Sequence, residues 1–177
     1  QKFADLNCWS LVETKCIIEL SDQDFSIVQS ETMAALKEWE LKKPVYGRTH
    51  AENTRIGYMS EMAVAYYLGV PYKLERDRTT DDGDVAGYQV KGTAHAGGWM
   101  NTRDDMPTGI YIGCRVIDTE TVELVGWSTS RLMRRELYWN DDPKMKRPCY
   151  SMTPDQMYDI QTLPATKQLI DQRQQIA

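Results

Sequence analysis

Two stretches of the chain carry apolar residues at every third or fourth position, which predicts two helices. In the first, a mostly apolar stripe follows one side of the helix. It consists of Phe25, Val28, Thr32, Leu36 and Trp39. Ser21 and Asp24 stand ahead of the stripe in an arrangement similar to a capping box, so we expect this helix to begin at Ser21 and to reach about Leu41.

The second stretch covers residues 51–68 and reads AENTRIGYMSEMAVAYYL. Gly69 follows it and Pro71 comes shortly after, and both are usual signals for the end of a helix. The second half of the stretch is apolar on most sides, which is typical of a buried helix. We therefore expect a core helix that carries Glu61 near its middle.

Alternating and β-branched segments predict strands in the second half of the chain. Residues 84–93, DVAGYQVKGT, fit one strand or two short strands around Gly87. Residues 109–118 (GIYIGCRVID) and 121–127 (TVELVGW) have the pattern of a hairpin. Residues 15–20 (KCIIEL) fit a short strand or the end of a helix.

The remaining signals complete the predicted order of elements. Ser128, Thr129 and Ser130 can cap a helix that reaches about Leu137. A short strand near residues 149–152 and a helix near residues 154–160 follow, and the polar end from 167 to 177 is helical or frayed. This mixture predicts an α/β fold with a central mixed sheet of four or five strands and helices on both faces.

No linker or repeat divides the chain, so we expect residues 1–177 to form a single domain. Its core would cover about 51–137, with an N-terminal helical region over 1–50 and a C-terminal strand and helix extension over 138–177.

The formal net charge of −5 counts against a protein that coats nucleic acid, although acidic residues in a metal site would be neutralised by the cation.

The cysteines are Cys8, Cys16, Cys114 and Cys149, and none has the spacing of a zinc site. We interpret them as buried or incidental thiols in a reducing compartment. No apolar run approaches the ~18 residues of a membrane span, and no signal-peptide pattern is present, so a cytoplasmic protein without a membrane partner is expected.

The first candidate for chemistry is Glu61, which shares a helix face with Tyr58, Val64, Ala65 and Leu68. A carboxylate on such an apolar face is unfavourable unless it is paired, protonated or bound to a metal. The alternative is a glutamate at the rim of the core or one in a salt bridge with an arginine.

The next candidates follow the helix along the chain. Asp81, Asp82 and Asp84 surround Gly83, a pattern more typical of a turn than of a metal site, and the ligand series of a calcium loop is absent. On the strand that follows, Gln89 and Lys91 project from one face because alternate residues share a face. A simple surface salt bridge of Lys91 would contribute only ~0–1 kcal/mol.

Taken together, a helix glutamate, an aspartate at a strand start and a polar-x-Lys strand resemble the PD-(D/E)XK, or restriction-endonuclease-like, nuclease superfamily. The matching stretches are GYMSEMAVAYYLG, DGDVAGYQVKGT and TVELVGW, all between Gly57 and Trp127. The hairpin after the QxK strand is similar to that of phage and bacterial members. The resemblance implies a restriction-endonuclease-like core and a metal-dependent endonuclease, rather than an exonuclease, that acts on DNA in phage genome processing, recombination or restriction.

This chain departs from the family pattern at Gln89, where the family usually has an acid, although some members carry glutamine. The amide still offers a carbonyl oxygen to a hard cation, but with less charge. That difference would weaken metal affinity, favour one ion over two, or mark a degenerate site. We prefer Asp84 as the motif aspartate because it stands directly at the strand start, with Asp82 second.

The resemblance also implies a role for each residue. Asp84, the Gln89 side chain and the Val90 carbonyl would hold Mg²⁺ or Mn²⁺, and Glu61 would bind a second ion or a metal-bound water. Lys91 would orient the attacking water and stabilise negative charge as it develops.

Basic residues are candidates for contact with the nucleic-acid backbone. Arg131, Arg134 and Arg135 would share one face of the predicted helix after Trp127. A second cluster consists of Lys144, Lys146 and Arg147. The alternative for each cluster is a solvated surface. Restriction-like enzymes often dimerise to cut both strands, so the resemblance is compatible with a homodimer.

Two other functions stay open at this point. The fold could serve as a catalytically inactive nucleic-acid-binding or assembly module, with Gln89 as the trace of a lost activity. Alternatively, the chain could be a different enzyme or a structural protein in which Glu61 and Lys91 form a buried ion pair.

Overall fold

A computed structural model of the chain describes residues 15–39, 49–73, 83–143 and 147–163. The strands within these ranges are β1 (Cys16–Glu19), β2 (Gln89–Thr93), β3 (Met100–Thr102), β4 (Ile110–Val116), β5 (Thr121–Thr129), β6 (Trp139–Asn140) and β7 (Cys149–Met152). The α-helices are α1 (Asp22–Trp39), α2 (His50–Leu68) and α3 (Ser130–Met133). Single turns of 3₁₀-helix cover Glu136–Tyr138, Pro154–Gln156 and Ile160–Thr162.

A mixed sheet of four strands in the order β1-β5-β4-β2 lies at the centre. β2 runs parallel to β4, with Gln89 opposite Tyr111 and Lys91 opposite Gly113. β5 is antiparallel to both β4 and β1. The predicted α/β class, the central mixed sheet and the 109–127 hairpin are therefore confirmed. β2, which carries the candidate site, is an edge strand of this sheet.

One face of the sheet is covered by helices. Val90, Ile112 and Cys114 point to this face and lie in one buried cluster with Ile56 of α2, while α1 packs beside α2. Gly92 also belongs to this face, because it is two residues from Val90. A Cβ atom at Gly92 would lie 2.9 Å from the carbonyl oxygen of Ile56. Strand β2 and helix α2 can therefore approach this closely only with glycine at position 92.

The opposite face is covered by a second sheet, with the strand order β3-β7-β6. Met100, Tyr111, Met133 and Met152 form a fully buried cluster between the two sheets. The expectation of helices on both faces is wrong for the described residues, because α3 on this side has only 4 residues. β3 and β6 have 3 and 2 residues, which is too short for a periodic pattern to predict them.

The start of α1 and the end of α2 follow the sequence signals in the first half of the chain. Asp24 accepts hydrogen bonds from the amide (2.8 Å) and the hydroxyl (2.6 Å) of Ser21, as the capping pattern predicts. α2 begins with a capping box between Thr49 and Glu52 and ends at Gly69, whose φ is 65°. The expected end of the first helix near Leu41 falls outside the described residues.

The second half of the chain requires two corrections. The helix predicted to reach Leu137 ends at Met133, and the segment 154–160 forms separate 3₁₀ turns instead of a helix. The strand at 149–152 is confirmed, and of the two alternatives for residues 15–20 the strand is the one observed.

The described cysteines, Cys16, Cys114 and Cys149, are free thiols. Within the ranges that the structure describes, none of the helices combines the length and the apolar character that crossing a membrane requires.

Candidate functional site

A tight hairpin positions Asp84 just before β2. Val85 pairs with Tyr88, and the two residues between them, Ala86 (φ 51°) and Gly87 (φ 84°), both have positive φ. This is the pattern of a type I′ turn. Among the described residues, Ala86 alone has a positive φ without being a glycine. Because a side chain disfavours this conformation, the turn stores some backbone strain beside the candidate site.

The backbone at Asp84 forms a bulge. The amides of Asp84 and Val85 both donate to the carbonyl of Tyr88, at 2.8 and 3.2 Å. Asp84 and Val85 therefore both lie opposite Tyr88, and this extra residue turns the side chain of Asp84 away from the ordinary alternation of a strand. Gly83, with φ 58°, fits against this carbonyl, since a Cβ there would lie 2.8 Å from the Tyr88 oxygen.

The reoriented carboxylate of Asp84 accepts a hydrogen bond of 2.7 Å from the amide of Val90. This contact places Asp84 at the outer edge of β2. The N–H and C=O groups of one strand residue point to the same side, so the carbonyl of Val90 is directed toward the edge where Asp84 lies. The sequence-predicted Asp84 and Val90 are thus brought together by a direct contact.

Gln89 and Lys91 lie on one face of β2, as the alternation predicts, and both are half-buried. Their face is the one opposite α2, because Val90 between them belongs to the helix-covered cluster. The Nζ atom of Lys91 lies over the ring of Tyr111, 5.7 Å from the ring centre. The Tyr111 side chain is fully buried, and its hydroxyl donates to the carbonyl of Pro107 at 2.6 Å.

Glu61 approaches from the helix side. Ser60 faces the sheet, since its carbonyl accepts a weak hydrogen bond from the Cys114 thiol at 3.9 Å. Burial raises the pKa of the Cys114 thiol, and the negative charge of nearby Glu61 contributes to this effect. Tyr66, which bonds to Asp24 of α1, is about 140° around the helix from Glu61, so Glu61 lies on the side of α2 away from α1.

The structure therefore groups Asp84, Gln89, Val90 and Lys91 around the first half of β2, with Glu61 on the other face of the sheet. This arrangement argues against a buried Glu61–Lys91 ion pair. Helix α2 and the side chains of Gln89 and Lys91 lie on opposite faces of the strand.

The oxygen atoms at this edge fit a hard divalent cation. They comprise the Asp84 carboxylate and the Val90 carbonyl, and the Gln89 amide on the neighbouring face of β2 offers a third oxygen of the kind that Mg²⁺ or Mn²⁺ accepts. No group of three or more His, Cys, Asp or Glu side chains suited to a metal occurs among the described residues. The set therefore has a single carboxylate, and a cation held there would keep several water ligands.

The prediction that Arg131, Arg134 and Arg135 share one face of a helix is wrong. Arg134 ends α3, and its guanidinium donates to the carbonyls of Met106 (2.6 Å) and Pro107 (3.0 Å). Arg135 is extended, with φ −82° and ψ 146°, so it does not continue the helix. Arg131 and Arg135 are exposed, whereas Arg134 stabilises the loop between β3 and β4.

These arginines nevertheless lie at the same end of the central sheet as Asp84. β5 ends beside the start of β4, with Thr129 opposite Ile110, and β2 begins beside the same end of β4. Of the second basic cluster, Arg147 is exposed. Lys144 and Lys146 lie outside the described residues, as does Asp82.

Sequence reasoning did not identify Tyr111 as a neighbour of Lys91. The contact depends on the parallel pairing of β2 with β4, and no local pattern in the sequence predicts which strands pair.

Comparisons with protein-family models, with curated proteins and with solved structures found no match. The functional assignment therefore depends on the residues and geometry described above.

Proposed function

We propose that this protein is a metal-dependent nuclease of PD-(D/E)XK type that hydrolyses phosphodiester bonds of DNA. The hydrogen bond from the Val90 amide to the Asp84 carboxylate is the main support, because it joins the aspartate to the Gln89-x-Lys91 strand. The hairpin at Val85–Tyr88 and the bulge at Asp84 hold this carboxylate beside the strand, on the side where the Val90 carbonyl lies.

The order of elements supports a restriction-endonuclease-like core. Helix α2 carries Glu61 and packs on a mixed sheet whose edge strand, β2, carries Gln89 and Lys91. The β4–β5 hairpin follows along the chain. This arrangement agrees with the resemblance seen in the sequence, while the second sheet on the opposite face is a feature of this chain that the resemblance does not imply.

The residues fit the demands of phosphodiester hydrolysis. Asp84, the Val90 carbonyl and the Gln89 amide oxygen would hold Mg²⁺ or Mn²⁺, which supplies positive charge for the phosphate and lowers the pKa of bound water. Lys91 would place its ammonium group beside the scissile phosphate, orient the attacking water and stabilise the charge that develops. Glu61, from the helix side, would act through water rather than by direct contact with Lys91.

A cleavage assay tests the proposal. The protein is incubated with linear, circular and single-stranded DNA in Mg²⁺, in Mn²⁺ or in excess chelator. We expect metal-dependent cleavage that includes circular DNA, and a loss of about a hundredfold or more in Lys91→Ala. Lys15→Ala is the matched control, because Lys15 is exposed and precedes β1 at the opposite edge of the sheet. Robust cleavage in chelator, or by the Lys91→Ala protein, would contradict the proposal.

The neutral Gln89 favours a second candidate function, that of an inactive nucleic-acid-binding or assembly module on the same fold. This alternative predicts that DNA binds and is not cleaved in any divalent metal. Calorimetry with Mg²⁺ and Mn²⁺ then separates the two functions further, because the nuclease requires a metal-binding event that Asp84→Ala removes.

A further inference from the structure

An aromatic surface stands apart from the candidate metal site. Trp139 on β6 is 45% exposed, and Leu137 beside it is 61% exposed. The Trp139 ring meets Tyr150 of β7 edge to face, with ring centres 5.0 Å apart and planes at 67°. Such a contact holds the indole in place and leaves ring surface open to solvent. A large apolar side chain kept this exposed on a fixed edge strand is a feature of binding surfaces.

A chain of contacts connects this surface to Lys91. The Tyr150 hydroxyl lies 3.4 Å from a carboxylate oxygen of Asp104, in the loop between β3 and β4. The same loop provides the Pro107 carbonyl that accepts the hydroxyl of Tyr111, and the Tyr111 ring lies beneath Lys91. The loop between β3 and β4 thus contacts both the aromatic surface and the ring beneath Lys91.

The charge of this region differs from that of the whole chain. Residues 131–143 and 147, which the structure describes, contain four Arg and three Asp or Glu, in a protein whose net charge is −5. Arg135 and Arg147 are both exposed and stand near the two ends of the short β6–β7 ladder. Exposed aromatic rings flanked by arginines match unpaired nucleotides, since bases stack on the rings and phosphates contact the guanidinium groups.

We infer that the surface formed by Arg135, Leu137, Trp139 and Arg147 binds single-stranded DNA, with Trp139 stacking on a base. This inference rests on the proposed function for the choice of nucleic acid, and it narrows the substrate class to DNA with an unpaired segment. Bases within a duplex are already stacked on each other, so Trp139 cannot reach their faces there.

The test measures binding and needs no cleavage. Fluorescence anisotropy follows a labelled single-stranded oligonucleotide and a duplex of the same sequence closed at both ends, in chelator and at low salt. We expect Trp139→Ala to weaken single-strand binding by about tenfold and to leave duplex binding unchanged. Trp99→Ala is the matched control, because Trp99 is 42% exposed and its ring contacts that of His95 at 5.0 Å.

Two further variants guard against loss of the fold. Trp139→Phe keeps a stacking ring and should retain most of the affinity, whereas Trp139→Leu keeps an apolar side chain and should lose it. Equal effects of Trp139→Ala on both DNAs, or equal effects of Trp99→Ala, would overturn the inference. A dimer that Trp139→Ala dissociates in light scattering would also overturn it, because the surface would then face a second copy.

The outcomes also separate this inference from the proposed function. Single-strand binding through Trp139 without any cleavage would support the surface and count against the nuclease. Metal-dependent cleavage of DNA, combined with single-strand binding that does not involve Trp139, would support the nuclease and count against the binding surface.

Discussion

The ammonium group of Lys91 lies over the face of the Tyr111 ring, 5.7 Å from its centre. At this distance a cation and an aromatic face attract each other by ~0.5–2 kcal/mol, depending on how far water is excluded. The ring itself cannot turn easily, because Tyr111 is buried among methionines and its hydroxyl is bonded to Pro107. Lys91 therefore has a fixed partner that is not a carboxylate.

If Lys91 is the lysine of a nuclease, Tyr111 is a positioning residue for it. We expect Tyr111→Leu to lower the cleavage rate at saturating DNA by a factor of about 2–30, the equivalent of the cation–π energy, with little change in KM. Tyr111→Phe keeps the ring and should retain most of the rate, while losing the bond to Pro107 and about 1 kcal/mol of stability. An equal loss of rate in both variants would show that the ring face is not what matters.

The Asp84 carboxylate has two separable roles, as an acceptor for the Val90 amide and as a negative charge. Asp84→Asn keeps an oxygen that can accept the bond and removes the charge, whereas Asp84→Ala removes both. We expect both variants to lose cleavage and metal binding, and only Asp84→Ala to lose about 1–2 kcal/mol in the free energy of unfolding. Thermal and urea unfolding measure the second effect, and full activity in Asp84→Asn would contradict the proposed role of the charge.

A substitution at Gln89 can test whether metal affinity increases. Gln89→Glu adds a second carboxylate on the half-buried face of β2 and should raise the affinity for Mg²⁺ or Mn²⁺ by about tenfold, or ~1.4 kcal/mol. Isothermal calorimetry provides the measurement, and Gln29→Glu on α1, in the same calorimeter, controls for added charge. An unchanged affinity would mean that the Gln89 side chain does not reach the cation.

The sequence predicts the local geometry of this site better than its surroundings. The i, i+2 spacing of Gln89 and Lys91 places them on one face wherever the strand lies, and Gly87 indicates the turn before it. The length of α3 depends instead on a tertiary contact, since Arg134 bonds to carbonyls of a loop 27 and 28 residues earlier in the chain. That contact favours an end of the helix near Arg134, and the spacing of apolar residues along the chain does not predict it.

The position of Glu61 illustrates the same limit. Its helix, the end of that helix at Gly69 and the middle position of Glu61 in α2 follow from the sequence, and all are confirmed. Which face of the sheet the helix covers is decided by the apolar side chains of Val90, Ile112 and Cys114 acting together. The order of motifs along the chain does not contain that information, so the sequence alone could not place Glu61 opposite to Gln89 and Lys91.

The link between α1 and α2 predicts a dependence of stability on pH. Burial raises the pKa of Asp24, but hydrogen bonds from Ser21 and Tyr66 outweigh this and hold the pKa below its usual value. The same bond to Asp24, together with burial, raises the pKa of Tyr66 to about 12. Asp24 therefore stabilises the fold above its unfolded pKa of about 3.9, and this contribution is lost as the pH falls through the lower, folded value.

Tyr66 acts at the other end of the pH range. Its contribution is present below the unfolded pKa of about 10 and is lost as the pH rises toward about 12. Asp24→Asn and Tyr66→Phe should each destabilise the protein by about 1 kcal/mol at pH 7. In unfolding measured from pH 3 to pH 11, the difference between wild type and Asp24→Asn should shrink at the acidic end. A constant difference would contradict this account.

The missing side chain at Gly92 has a consequence for how the candidate site could evolve. With strand β2 pressed against α2 at this point, the separation between the layer that holds Glu61 and the strand that holds Lys91 is limited by the Ser60 hydroxyl and the Ile56 carbonyl of the helix. A methyl group there would act as a spacer and displace one layer from the other without altering any candidate residue. Activity could thus be lost by a change of distance alone, and selection on the site would extend to a position that offers no functional group.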